Sequence, residues 1–322
     1  MLQTVHSNIK DVCVVTWNFT NMCNFACEYC PDELHNGTSG FPDYDNALNF
    51  LQRLADKHEN IFIELLGGET TMWPKLIPFL KEVKKLSNVV VEINTNGSRT
   101  NKWWNRYCDA DLSMNSFLVF SYHAAFCDPD LFYSNLEIAS EDHQVVANFM
   151  LDPKYWDKSY NLFVRSKNLA VDSLFKVLRE NFHPTKLING YTEEMLEIIK
   201  NTDERHMYDR FQYPKMSDNL VWPMKIYYNG EKTHWQKLIV EGNHKFKGWK
   251  CGAGSKRFYI NFDGNVFVCS QLMHYDFKKA GKNYLGNLDT DINILDNYIT
   301  CPKDYCPCKM DAIVDKFYDD AR

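Results

Sequence analysis

The chain has 322 residues, 45% of them hydrophobic and 24% charged, enough to bury a full core as one large domain or as one plus a smaller one. Its 36 basic and 42 acidic residues leave a net charge of −6 with no long run of either sign, which argues against a generic grip on a nucleic-acid backbone. No apolar stretch approaches the ~20 residues of a membrane helix, and the opening MLQTVHSNIKDV lacks the basic-then-apolar layout of a secretion signal. A cytoplasmic location with no membrane partner is therefore expected.

In chain order, apolar strand-like runs alternate with helical ones. Strands are predicted at Val12–Phe19, Ile61–Leu66, Val89–Asn94, Ser116–Tyr122, Gln144–Met150 and Ala170–Val177. Between them, Tyr44, Leu48, Leu51 and Ala55 share one helical face, as do Leu76, Phe79, Leu80 and Val83. Asp128-Pro129 reads as a cap and first-turn proline before a helix over Leu131–Ala139. Thr192 caps another helix carrying Met195, Leu196 and Ile199. Repeated strand–helix units predict an α/β chain with a parallel sheet or a partial β/α barrel, which places its chemistry at the C-terminal ends of the strands.

The character changes near residues 205–225, where aromatic residues are broken by Pro214 and Pro223. The expected division is a first domain over 1–215 and a second over 216–322. Two hairpins are predicted in the second. Ile226–Tyr228 and Trp235–Val240 flank Asn229-Gly230, and Phe258–Phe262 and Val266–Cys269 flank Asp263-Gly264.

The 11 cysteines fall into groups, which in a large intracellular chain points to metal or redox work rather than to a disulfide framework. Cys23, Cys27 and Cys30 form a C-x₃-C-x₂-C triplet directly after the first strand. Three thiolates can hold three corners of a [4Fe–4S] cube and leave one iron open, whereas a structural zinc site wants four closed ligands. His35 would complete a Cys₃His zinc set only at an unusual spacing. Cys13, Cys108 and Cys127 lie outside both groups and read as small apolar residues.

The triplet, with the aromatic Tyr29 before its last cysteine, resembles the signature of the radical S-adenosylmethionine (SAM) superfamily. The resemblance spans roughly residues 10–205 and implies a partial (β/α)6 TIM-like barrel. It also implies a 5′-deoxyadenosyl radical, generated when a reduced cluster splits bound SAM, that abstracts hydrogen from a substrate. By the same resemblance Gly67, Gly68 and Glu69, after the second strand, would contact the methionyl amino group. Asn94 and Asn96 of the Asn-Thr-Asn-Gly strand end, together with Tyr29 and Ser121, would add further SAM contacts, the remaining adenine contacts being unassigned. Read without the family, the glycine pair is a tight turn, and Asn96-Gly97 a plain left-handed one. His123 is a candidate proton acceptor or substrate contact, although a lone strand-end histidine is more often structural. Met150, Asp152 and Trp156 stay open.

Downstream, Cys251 and Cys269 bracket the Asp-Gly hairpin as C-x₁₂-G-x₄-C, and Cys301, Cys306 and Cys308 follow. This set resembles the SPASM or shorter twitch extension, a small β-hairpin/helix domain carrying auxiliary [4Fe–4S] clusters. Five cysteines ligate one further cluster, giving two in all. Cys251, Cys269, Cys306 and Cys308 are the expected ligands, with Cys301 as substitute; a zinc knuckle is the alternative. The expected activity is oxidation or rearrangement of a small polar substrate such as a sugar, nucleotide or amino acid, the auxiliary cluster accepting an electron supplied by that chemistry. Crosslinking or epimerisation of a peptide is the rival, disfavoured because only 22 residues precede Cys23. The family also implies a reducing partner such as flavodoxin or ferredoxin. An iron–sulfur electron carrier or a zinc-dependent interaction module is the alternative of another class.

Overall fold

The computed structural model describes residues 2–7, 11–113, 116–180, 186–201, 226–233, 238, 241–273, 283–306 and 308–318. The boundary expected at 205–225 lies outside the described residues. A short opening strand, β1 (Gln3–Ser7), belongs to a small antiparallel sheet. Then β2 (Val12–Thr20), β3 (Asn60–Gly67), β4 (Val89–Thr95), β5 (Ser116–Tyr122), β6 (Val145–Leu151) and β7 (Asp172–Val177) lie side by side in chain order, each parallel to the next. The connections are helical: α1 (Tyr44–Lys57), α2 (Leu76–Val83), α3 (Asn101–Cys108), α4 (Pro129–Asp142) and α5 (Trp156–Ser166). This is the α/β architecture expected from the strand–helix alternation, with strand ends within two residues of the sequence reading.

Local chemistry explains the helix starts. Asp43 accepts the backbone N–H groups of Asp45 and Asn46 at 3.0 Å each, and α1 then buries Ala47, Phe50, Leu51 and Leu54 on one stripe. Asp128 caps α4 in the same way through Asp130 and Leu131, with Pro129 in the first turn where its missing N–H costs nothing. Further along, α6 (Glu193–Asn201) follows Thr192, whose hydroxyl accepts the Met195 N–H.

The strands alternate strictly between two faces. Cys13, Val15, Trp17 and Phe19 of β2, with Leu118, Phe120 and Tyr122 of β5, pack under the helices against Trp104 and Phe132. On the other face, Val12, Val14, Phe62, Val90, Phe117, Val119, Val146 and Leu174 form a second apolar core. That core is covered from the C-terminal third by Ile226, Phe246, Trp249, Cys306, Met310 and Ile313.

The C-terminal third joins both sheets. In the small sheet β8 (Ile226–Tyr228), β9 (Glu231–Thr233), β10 (Lys250–Cys251), β14 (Ile299–Thr300) and β15 (Lys316–Tyr318) assemble around β1. The larger sheet gains β11 (Arg257–Ile260), β12 (Asn265–Phe267) and β13 (Tyr284–Asn287), with β11 lying parallel against β2. The Asn229-Gly230 turn is where expected, but its returning strand is Glu231–Thr233 rather than Trp235–Val240. Both turn residues have positive φ, 51° and 86°, so they form a tight two-residue loop that pairs Tyr228 directly with Glu231. Of the strand expected at 235–240 only Leu238 is among the described residues, and it is buried. The second hairpin turns over residues 261–264, with the Asn261 side chain accepting the N–H groups of Asp263 and Asn265.

Phe132 is wholly enclosed and its ring meets those of Phe120, Tyr122 and Phe149. Phe132→Ala is expected to lower the unfolding free energy by about 3–5 kcal/mol in a denaturant titration; a loss under ~1 kcal/mol would mean that this interface is not packed as described.

Candidate active site and second cysteine centre

At the C-terminal end of β2 the chain leaves the sheet and runs directly into the loop of Cys23, Cys27 and Cys30. The loop is fastened from below. Gly68 N–H donates to Thr20 O and Glu69 N–H to Met22 O, both at 2.7 Å. Approach is so close that a Cβ on Gly68 would stand 2.2 Å from Met22 O, and one on Gly67, whose φ is +133°, 2.2 Å from Thr20 O. The glycine pair is therefore required by the cysteine loop's own backbone. Beyond Cys30, the fully buried Asn21 side chain holds the returning segment, donating to Asn36 Oδ1 and Thr38 Oγ1 and accepting Ser39 N–H.

Glu69 is wholly buried and ties β3 to β4. Its carboxylate caps the 70–72 turn by accepting the Thr71 N–H at 3.0 Å and the Thr71 hydroxyl. It also accepts the Thr95 hydroxyl at 2.7 Å and the Asn96 N–H at 2.6 Å. Burial pushes its pKa up, against these donors. Asn96 passes the link onward, donating to Asn24 Oδ1 at 2.9 Å with Cys23 Sγ 4.0 Å away, and Asn24 donates to Ser98 Oγ. Asn94 is turned back along its own strand to Glu92 Oε1 at 2.9 Å.

The three thiols lie within electrostatic reach of one another, and burial raises all of them, Cys27 to about 12 and Cys30 to about 11. A bound metal reverses that preference, since a coordinating thiol is deprotonated outright. Tyr29 and His123 stand beside Cys27. Tyr29 OH lies 2.6 Å from His123 Nδ1, which is 3.4 Å from Cys27 Sγ, and the two rings stack with planes 12° apart. Burial brings His123 down to about 4, so it is neutral at neutral pH. Its Nδ1 is therefore engaged with the cysteine loop. Among the described residues no three His, Cys, Asp or Glu side chains are drawn together as a shell for a single metal ion. The donor set at this loop, three thiols and no fourth cysteine, fits a cube gripped at three corners.

Above the apolar part of the helix-free face, the inward-facing positions turn polar on every parallel strand: Thr16, Glu64, Glu92, Asn94, Ser121, Asn148 and Lys176. Thr16 donates to Glu64 Oε2 at 2.9 Å, and Glu64 and Glu92 are register partners on neighbouring strands. Asn148, directly across from Ser121, is buried with its Oδ1 unpartnered. On β11, Tyr259 OH accepts from Asn18. Of this belt the sequence reading named only Asn94 and Ser121. The signal was there: in IFIELL and VVVEIN a single carboxylate interrupts an otherwise apolar strand at the parity of the helix-free face. Of the open candidates, Asp152 caps the 153–155 turn through Lys154 N–H, and Trp156 stacks on Tyr160.

The second cysteine group closes around one cleft lined by Cys251, Cys269, Cys301 and Cys306, with Arg257, Asp311 and Lys316 in its wall. Cys308 does not line it; its sulfur lies within electrostatic reach of Arg257 and Tyr259. Burial raises the Cys269 and Cys306 thiols well above the usual range. Arg257 leaves Nη2 without a partner although the residue is 1% exposed, the orphaned donor expected where an anionic group belongs.

In Gly68→Ala the added methyl must displace Met22 and with it Cys23. The reconstituted variant is expected to bind about four irons fewer than the parent, those of the Cys23–Cys30 loop. An undiminished iron count would show that the loop does not need this close approach.

Comparison with known proteins agrees with this geometry. Residues 17–125 match the family model of the radical SAM superfamily. The fold is similar to that of SuiB from Streptococcus suis, solved with SAM bound, at a TM-score of 0.52 and 13% identity over 87% of this chain. With the precursor peptide SuiA bound, the same protein superposes at 0.55 and 12% identity, covering 90% of this chain and 66% of that one. It is similar also to anSMEcpe with bound SAM and the Cp18Cys peptide, at a TM-score of 0.50 and 14% identity over 87% of this chain and 78% of the other. This chain spans 64% of the SAM-bound SuiB chain. No curated protein matches it. The cysteine loop, the strand ends that hold it and the matched residues identify a radical SAM domain in this chain.

Proposed function

We propose that the chain is a radical SAM enzyme whose parallel strands form a partial (β/α)6 barrel, with a twitch-type C-terminal extension holding one auxiliary [4Fe–4S] cluster. The observation that carries the reading is the three-thiol loop seated on the Gly67-Gly68-Glu69 strand end, in a chain that also gathers four cysteines around a second cleft. Cys23, Cys27 and Cys30 hold the first cluster. SAM and that cluster, when bound, supply a 5′-deoxyadenosyl radical that takes a hydrogen atom from the substrate. Gly67 and Gly68 offer main-chain groups to SAM, as does Glu69, whose carboxylate is already taken by four protein donors. Asn94, Asn96 and Ser121 stand on the strand ends beside them. Tyr29 and His123 brace the loop at Cys27, so His123 is a positioning residue, and Glu64 of the belt is the better placed proton acceptor.

The belt favours a small polar substrate, since carboxylates, amides and a hydroxyl line that face of the sheet. Its oxidation, with the auxiliary cluster taking the second electron, is the preferred reaction. Peptide modification is the second reading, supported by the peptides in the SuiB and anSMEcpe structures. For the second centre the cleft favours Cys251, Cys269, Cys301 and Cys306 over the Cys308-containing set. A reducing protein of flavodoxin or ferredoxin type would find a groove of about 580 Å³ lined by Trp73, Lys81, Arg99, Trp103 and Arg106. Ser98, next to Arg99, is bonded to Asn24 of the cysteine loop.

Two measurements test these assignments. Anaerobically reconstituted, dithionite-reduced protein given SAM is expected to release 5′-deoxyadenosine, and Cys27→Ala none; a parent that releases none contradicts the proposal. Cys301→Ser is expected to fall to about four irons per chain while Cys308→Ser keeps about eight; the reverse pattern restores Cys308 as ligand.

A further inference from the structure

The second cysteine cleft has two buried cations and one buried carboxylate in its wall. Asp311 is committed to one of them: its Oδ1 accepts Arg257 Nε at 2.7 Å, and its Oδ2 accepts Ser270 Oγ at 2.6 Å and Gln271 N–H at 3.2 Å. Lys316 is different. At 3% exposure its ammonium donates to three backbone carbonyls, Asp311 O at 2.5 Å, Val314 O at 2.9 Å and Ala312 O at 3.3 Å. The ring of Phe246 lies 5.1 Å from its Nζ. Among the described residues no carboxylate forms a salt bridge with it. The Asp311 carboxylate lies within its electrostatic reach but is bonded elsewhere, and a buried ammonium hydrogen-bonded to neutral carbonyls alone is unfavourable unless an anion completes the set. The cleft also carries four cysteines, with Gln271, Tyr305, the half-buried Lys303 and the apolar Ala253, Leu272 and Ile299 filling the rest of its wall.

We propose that Lys316 is the buried counter-cation of the auxiliary cluster and holds its reduction potential up. This rests on the reading that the cleft carries a [4Fe–4S] cube on Cys251, Cys269, Cys301 and Cys306. Four thiolates and an oxidised cube sum to a dianion, and one-electron reduction makes it a trianion with no bond formed or broken. The electron comes from the substrate-centred radical left after hydrogen abstraction. A fixed positive charge in a low-dielectric wall stabilises the trianion more than the dianion, which favours electron acceptance. Arg257 contributes less, because Asp311 neutralises it. Lys316 thus acts through the cluster as a positioning residue for charge, and as a plain cap on the carbonyls of Asp311, Ala312 and Val314 it would leave the potential unchanged.

The test uses full-length protein carrying Cys23→Ala, Cys27→Ala and Cys30→Ala, so that only the second centre loads, with iron and acid-labile sulfide measured first. A chain that binds neither overturns the ligand reading itself. In protein that does load, an EPR-monitored redox titration of Lys316→Met is expected to show an at least tenfold weaker reduction equilibrium, about 59 mV more negative for one electron. Lys316→Arg, which keeps the charge, is expected to stay near the parent. A Lys316→Met potential equal to that of the parent overturns the proposal. If that variant fails to fold, Lys316→Gln decides: its amide can still donate to the backbone carbonyls without the charge, and the potential is expected to move negative. An unmoved or higher potential then overturns the proposal.

Discussion

The closest backbone contact at the active end is the one on which its geometry depends. Where β2 and β3 end, the Gly67-Gly68-Glu69 turn lies so tightly on Thr20–Cys23 that no side chain fits between them. The contact spends two donor–acceptor pairs on joining the strand that carries the cysteines to its neighbour. Glu69 then carries the connection to β4 through Thr95 and Asn96, and Asn96 returns it to the cysteine loop through Asn24. Three strand ends and the loop form a closed circuit of hydrogen bonds, with Glu69, Thr95 and Asn96 buried at its centre. A satisfied network of this kind rigidifies a site more than its separate bonds would suggest.

That circuit explains why the thiols of the loop can be held with their charged forms disfavoured. In the protein alone burial raises their pKa values, so the loop is arranged for thiolates that only a bound metal would make favourable. The second centre uses a different device, with cations built into its wall.

The alternation of strands and helices was legible because the strands keep two-residue parity along most of their length and helices such as α1, α3 and α4 open on a capping side chain. The cysteine loop and the glycine turn were legible because so few residues satisfy such tight backbone contacts. Other features lay beyond local pattern. Trp235–Val240 reads as a strand, yet the Asn-Gly turn pairs the residues immediately beside it. The pairing of β1 with β8 and β15 joins segments over 200 residues apart and leaves no periodic trace. Spacing alone ranked Cys308 above Cys301, whereas the β10–β14 pairing brings Cys301 back to the cleft. No local pattern marks Lys316 and Arg257, and only the tertiary fold buries them.

The central claim is that the cluster on Cys23, Cys27 and Cys30 keeps one iron open for SAM. The most direct measurement is the EPR spectrum of anaerobically reduced protein recorded with and without SAM. The account requires a change in the signal of the first cluster alone, absent from a variant lacking these three cysteines. Identical spectra with and without SAM, from protein shown to contain that cluster, would contradict it.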